Sequence, residues 1–199
     1  MKILVVGASG TIGKEVVKQL ESEHEIIRAS RNSGDVQVDL TSIDSIKKMY
    51  QQIGNIDAVV NAAGRATFAP LTRLTPELNT MGIESKQKGQ INLVLLGLDH
   101  VTDGGSFTLT TGIMMDDPIP QGASAAMANG AVKHFVKASA IEMPRGIRIN
   151  SVSPNAVEES WERLKPYFIG FEAVPVQRVA LAYVKSVCGA QTGQNYEVY

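Results

Sequence analysis

Three glycines near the start of the chain, Gly7, Gly10 and Gly13, follow the apolar run Ile3 to Val6 and precede a helical pattern. A side chain in such a turn would hold a pyrophosphate away from the backbone. Without one, the N–H groups and dipole of the helix start face the anion directly. The required context, a strand before and a helix after, is present. Gly7, Ser9, Gly10, Thr11, Ile12 and Gly13 are therefore candidates for holding a dinucleotide. A bare structural turn is the plainer alternative, and one that is costly in glycine. The end of the second apolar run bears on which dinucleotide. An NAD site places Asp or Glu there for the ribose 2′-hydroxyl, whereas a 2′-phosphate favours Arg. The residues are Ser30-Arg31-Asn32-Ser33, with no acid before Asp35. Arg31 can pair with a phosphate, and Asn32 and Ser33 can donate hydrogen bonds to it. These residues favour NADP over NAD; otherwise Arg31 is a solvated loop charge.

The elements that must position this loop alternate along the chain. Strands are expected at Lys2–Val6, Glu25–Ser30, Val36–Asp39, Ala58–Asn61, Ser106–Thr110, Arg148–Val152 and near Tyr196–Val198. Helical patterns fall at Gly13–Glu21, Ser42–Gln52, Glu77–Leu98, Ser124–Met143, Trp161–Phe168 and Ala173–Cys188. Ser42 caps the second of these, with Ile43, Ile46, Met49 and Tyr50 at helical spacing. Continuous apolar strands alternating with helices imply an α/β fold, a doubly wound parallel sheet between two helical layers. One crossover is too short for a helix: five residues separate Ser30 from Val36, and extended chain must span the gap.

Composition excludes several classes. A length of 199 residues suits one domain spanning the whole chain. A net charge of −1 without a basic run leaves no electrostatic footprint for nucleic acid or an anionic membrane. The lone Cys188 forbids an internal disulfide and fits a reducing compartment. The first apolar run is too short for a signal peptide or a membrane span, so the cytoplasm is the expected location. The histidines are scattered and Asp116-Asp117 is a single acidic pair, so no metal site is expected.

With the loop and the strand pattern in place, the chain resembles the short-chain dehydrogenase/reductase superfamily, almost end to end. Gly7–Gly13 resembles its nucleotide loop, although the middle glycine usually stands one position later. Val38-Asp39-Leu40 is similar to its adenine-contacting segment. Asn61-Ala62-Ala63-Gly64 resembles its Asn-Asn-Ala-Gly turn. Gly146 to Pro154 is similar to its sixth strand, with Pro154-Asn155 at its Pro-Gly turn, and Thr192-Gly193-Gln194 resembles its Thr-Gly-Gln. The resemblance implies a Rossmann fold. It adds Asp39, Asn61, Ala62, Ala63, Gly64, Pro154 and Asn155 to the cofactor-binding candidates.

The superfamily's chemistry does not carry over. It uses a Tyr as proton donor, a Lys four residues later, a Ser about thirteen residues before the Tyr and an Asn on the preceding long helix. No Tyr in this chain is followed four positions later by Lys. The Tyr position falls on Ala125, the Lys position on Asn129, the Ser position on Thr111 or Gly112, and the Asn position near Lys86. The catalytic candidates are therefore Thr111, Lys86 and Asn129. Lys86 supplies a proton or a charge if its helix turns it inward, but in the polar run Glu84–Lys88 a solvated face is the readier expectation. Thr110 and Thr111 end a strand, where a hydroxyl can meet ligand or simply fill the sheet. Asn129 can donate to a ribose, without the charge of Lys. Ser124 can meet ligand, but it is expected rather to cap the helix that begins there. Met114, Met115, Pro118 and Pro120 would form an apolar, adaptable pocket wall.

Two functions follow. One is an NADP-dependent oxidoreductase acting on an unknown small carbonyl or alcohol through non-standard residues. The other is a catalytically silent NADP-binding redox sensor or regulator. A purely structural protein is disfavoured by the retained glycines. The small-residue helix Gly122–Ala131, by resemblance, implies a homodimer or homotetramer.

Overall fold

The computed structural model describes the whole chain, Met1–Tyr199. The run Lys2–Val6 forms strand β1, with four of its five residues buried. Ile3 and Val5 face one apolar cluster and Leu4 and Val6 the other. Side chains alternate across a strand, so a continuous apolar run serves a sheet covered on both faces.

Around β1 assemble β2 (Glu25–Ser30), β3 (Val36–Gln37), β4 (Ile56–Asn61), β5 (Val101–Thr110), β6 (Arg148–Pro154) and β7 (Asn195–Val198). All pairings are parallel, in the order β3-β2-β1-β4-β5-β6-β7. Helices α1 (Thr11–Leu20) and α7 (Val176–Cys188) cover one face through Val16, Leu20, Val179 and Tyr183. Helices α2 (Ile43–Ile53), α4 (Gly89–Gly97) and α5 (Ala123–Ser139) cover the other through Ile46, Met49, Leu93 and Val132. This is a three-layer Rossmann fold. Its strand order reverses between β1 and β4, and the crevice above their C-terminal ends is where such sheets bind ligands.

The short crossover is accommodated by register. β3 pairs only with the end of β2, Ala29 with Val36 and Ser30 with Gln37, so the chain need return only to the level of Arg28, whose carbonyl accepts from the Asp35 N–H at 2.8 Å. Ser42 caps α2 as its position predicts, accepting from the Ser45 N–H at 3.2 Å.

The long helical pattern expected over Glu77–Leu98 is helical throughout but not uniform. Helix α3 (Pro76–Gly82), a π-helical stretch (Ile83–Lys88) and α4 follow without interruption. The wider π turn shifts side chains out of the register that a 3.6-residue period predicts. The last strands and helices keep their expected places with shifted ends: α6 is Trp161–Leu164, and β5 begins earlier, at Val101. No helix is long and apolar enough to cross a membrane.

Candidate functional site

The glycine loop closes onto the end of β4. Gly7 has φ +86°, and a Cβ there would lie 2.9 Å from the Ala62 carbonyl carbon and the Ala63 nitrogen. A Cβ on Gly13 would lie 2.0 Å from the Gly7 carbonyl oxygen, so Gly13 serves loop–helix packing. Gly10 is different. A Cβ there would find only the Gly7 oxygen, at 3.4 Å, and open space beyond. Gly10 also stands at the N-cap of α1, where no side chain caps the helix and its first turn holds no acid. The opening N–H groups of α1, at Thr11, Ile12 and Gly13, have no partner within the helix. An open face, free donors and the positive end of a helix fit the pyrophosphate of a dinucleotide.

A cleft of about 380 Å³ runs along this loop. It is lined by Gly7, Ser9, Gly10, Arg31, Asn32, Ala62, Ala63 and Gly64 among the expected residues, together with Val38 and Leu40. Ser9 is fixed by the Ser30 hydroxyl, which donates to Ser9 Oγ at 3.0 Å. Other candidates lie off this lining. Ser33 is an exposed loop residue. Asp39 turns to Thr41, accepting from its N–H at 3.0 Å and its hydroxyl at 2.8 Å. Those bonds, with Arg31 at 3.7 Å, hold its carboxyl below the ordinary range. Asn61 is fully buried, donating to the Ala63 carbonyl and to Gln90 Oε1, both at 2.8 Å. It shapes the turn that Ala62 and Ala63 present. Pro154 ends β6, and Asn155 spends its side chain locally, on the Glu172 carbonyl and the Ala156 N–H.

Two residues of this cleft carried no sequence signal, Arg65 and Ser85. The Ser85 hydroxyl accepts from the Arg65 N–H at 3.0 Å. Arg65 follows the Asn61–Gly64 turn directly, and that adjacency was the only available clue.

The catalytic candidates converge where β5, α5 and the π-helical stretch meet. Lys86 is not on a solvated face, as its polar run leads one to expect; it is 9% exposed. Its stem packs against Gly64, and its ammonium donates to the Thr111 carbonyl at 3.3 Å. No carboxylate pairs with it, and burial lowers its pKa to about 8. Lys86 lies within the π-helical stretch, beside the buried Ser85. Asn129 is buried, with Nδ2 facing Gly112 and Oδ1 unpartnered. Thr111 offers its carbonyl to Lys86, while its hydroxyl turns to Asn195 Oδ1 at 2.9 Å and the Val152 carbonyl. Thr110 is structural, bonded to the Asn61 carbonyl and the Tyr183 hydroxyl.

Ser124 is not the helix cap it is expected to be. Gly122 holds that place, and the Ser124 hydroxyl is buried without a partner. Ala125, at the position of the superfamily's tyrosine, is fully buried and has no proton to give. A Lys thus stands near the superfamily's Asn position, and an Asn at its Lys position.

Beside the start of α5 lies a second cleft of about 380 Å³, walled by Phe68, Ile119, Leu164, Tyr167 and Phe168 with Gln121 and Arg163. Met114 packs on the same apolar cluster, Ile113, Ile119, Ala156 and Phe168, as do Trp161 and Leu164 of α6. No group of acids, histidines or cysteines is arranged to hold a metal.

Comparison with known proteins agrees with this architecture. A family profile described as enoyl-(acyl carrier protein) reductase matches residues 2–181. The crystal structure of the protein lin1944 from Listeria innocua is 66% identical over the whole of both chains, with a TM-score of 0.99. A small-chain dehydrogenase solved in complex with NADPH is 24% identical and shares the fold, with a TM-score of 0.88 over 100% of this chain and 96% of that one. The uncharacterized oxidoreductase YmfI of Bacillus subtilis is 28% identical over 78% of this chain and 74% of its own. A tetrahydroxynaphthalene reductase of Pestalotiopsis fici is 25% identical over 69% of this chain, and the match spans 54% of that relative's own length.

Proposed function

We propose that this chain, which belongs to the short-chain dehydrogenase/reductase superfamily, is an NADP-dependent reductase of a small carbonyl compound in which Lys86 takes the place of the missing tyrosine. The observation that carries this is the buried ammonium of Lys86, which has no carboxylate partner and stands at the C-terminal edge of β5 beside Asn129.

The glycine loop and the start of α1 would hold the pyrophosphate, the Ala62–Gly64 turn and Leu40, which line the same cleft, would flank the adenosine, and Arg31 would meet the 2′-phosphate. A bound NADPH supplies a hydride to the carbonyl carbon. The developing negative charge on the carbonyl oxygen is met by Lys86, which gives it one ammonium proton and is reprotonated from solvent. A positioned acid of this kind contributes about 10²–10⁴-fold. A pKa of about 8 leaves Lys86 mostly protonated at neutral pH, yet a better donor than an ordinary lysine at 10.5. Asn129 replaces a charge with an amide donor, which orients a ribose hydroxyl without a second cation next to Lys86. The apolar cleft beside α5 takes the body of the substrate.

The second reading, a silent NADP-binding sensor or regulator, is favoured by Ala125. It calls for unequal affinities for NADPH and NADP⁺, since a ligand shifts only states it distinguishes. We place the protein in the cytoplasm as a homodimer or homotetramer, with the small residues of α5 permitting close approach of a second copy.

The test is NADPH oxidation with a panel of ketones, aldehydes and enones, for the native protein and for Lys86→Met. Turnover that Lys86→Met abolishes, at unchanged NADPH affinity, is the expected outcome. No turnover across the panel, with NADPH and NADP⁺ bound unequally, selects the sensor.

A further inference from the structure

We infer that Arg65 is the second arm of a two-guanidinium clamp which, with Arg31, takes the 2′-phosphate of the cofactor. The inference rests on the NADP reading and deepens it. It makes Arg65 a specificity-determining residue, although the sequence around it contains no phosphate-binding motif.

Arg31 leaves the end of β2 and Arg65 leaves the turn after β4. These strands flank β1 on either side, so the two arginines rise from both shoulders of the glycine loop. Beyond the cofactor cleft lies a third cleft, of about 350 Å³, walled by Thr41, Thr67, Thr80 and Glu84 among others. Arg31, Arg65 and Ser85 line both clefts, so the two arginines share the partition between them.

The charges around them do not balance. Arg65 has no ion pair. Arg31 has only Asp39, at 3.7 Å, whose near oxygen already accepts from Thr41. Glu84 also lines the outer cleft, but its carboxylate lies 2.6 Å from the Lys88 ammonium. Two guanidinium groups at one partition repel each other until an anion sits between them. A phosphate dianion matches their planar donor forks better than a carboxylate or a single charge would.

The backbone of Arg65 is fixed for this. Its N–H is held by Ser85, and the preceding Gly64, at φ +127°, packs against the stem of Lys86. The pyrophosphate is not the ligand in question. It is met by the start of α1, whereas Arg31 and Asn32 place this partition at the end of β2, where the ribose 2′ position is read.

The experiment is a fluorescence titration of the native protein, Arg31→Gln, Arg65→Gln and Arg65→Lys with NADPH and with NADH. Arg65 is exposed, so its variants are expected to fold, and Arg65→Lys keeps the charge while removing the fork. Arg65→Gln is expected to weaken NADPH binding about 10–100-fold, the worth of a charge-assisted hydrogen bond. NADH binding should change by less than about twofold, and Arg65→Lys should fall between Gln and the native residue. Equal weakening of both cofactors, or no weakening of either, overturns the clamp. If the native protein prefers NADPH and only Arg31→Gln abolishes the preference, the NADP reading stands and the role of Arg65 falls. If the native protein does not prefer NADPH, both fall.

Discussion

The two ends of the candidate site differ in how they relate to their superfamily. At the β1–α1 end the parts agree with one another: a positive-φ glycine against the β4 turn, an uncapped helix start, and an open face at Gly10. At the β5–α5 end the superfamily's reacting groups are gone, replaced by the buried Lys86, Asn129 and Ala125. The first half is constrained by backbone geometry, which tolerates few solutions. The second half depends on side chains, and a charge can be delivered to the same space from a different helix. A Rossmann frame can therefore keep its glycine-loop geometry while the side chains at its other end change.

The largest expected effect sharpens this contrast. Lys86→Met should lower turnover by about 10²–10⁴-fold while leaving NADPH affinity nearly unchanged. Stopped assays beside a binding titration measure both. A comparable loss in affinity would mean that the two halves are not separable.

The same variant should be more stable than the native protein at neutral pH. Burial holds the Lys86 pKa at about 8, below its ordinary 10.5. The cost of the buried charge is therefore complete below pH 8 and is relieved as pH rises from 8 toward 10.5. Urea unfolding at pH 7 should show a gain for Lys86→Met on the order of 1–3 kcal/mol, shrinking toward pH 10.

On the other half, Gly13→Ala should destabilise the fold by about 1–3 kcal/mol, because its Cβ meets backbone that cannot yield without moving the loop from α1. NADPH binding should fall with it, and thermal melting would report the structural part. Gly10→Ala is the gentler companion. Its Cβ finds only ordinary contact, so melting should hardly move while NADPH weakens by roughly tenfold, through intrusion on the anion's space. If Gly10→Ala leaves NADPH binding intact, the open face at the helix start is not where the pyrophosphate sits.

The smallest effect concerns pH. Reduction by Lys86 needs its proton, so turnover should decline as pH rises through about 8, with a single ionisation. A flat profile from pH 6 to 9 would remove Lys86 as the acid.

What the sequence by itself determined was the frame: parallel strands from continuous apolar runs, helices from their period and from the Ser42 cap, and the nucleotide loop from glycines at a strand-to-helix turn. Each is a local consequence of backbone sterics or of side-chain periodicity, so each survives reading in one dimension. It also showed that the usual tyrosine and lysine are absent. Only the tertiary structure decided where Lys86 points, because a polar run does not say which of its members turns inward, and here Lys86 is buried while Lys88 is exposed. Only it showed that Ser124 is buried behind a Gly122 cap, and that Asn61 braces a turn through Gln90. Arg65 lines the same clefts as Arg31 for the same kind of reason. The two are far apart along the chain, and β2, β1 and β4 are brought side by side only when the sheet forms.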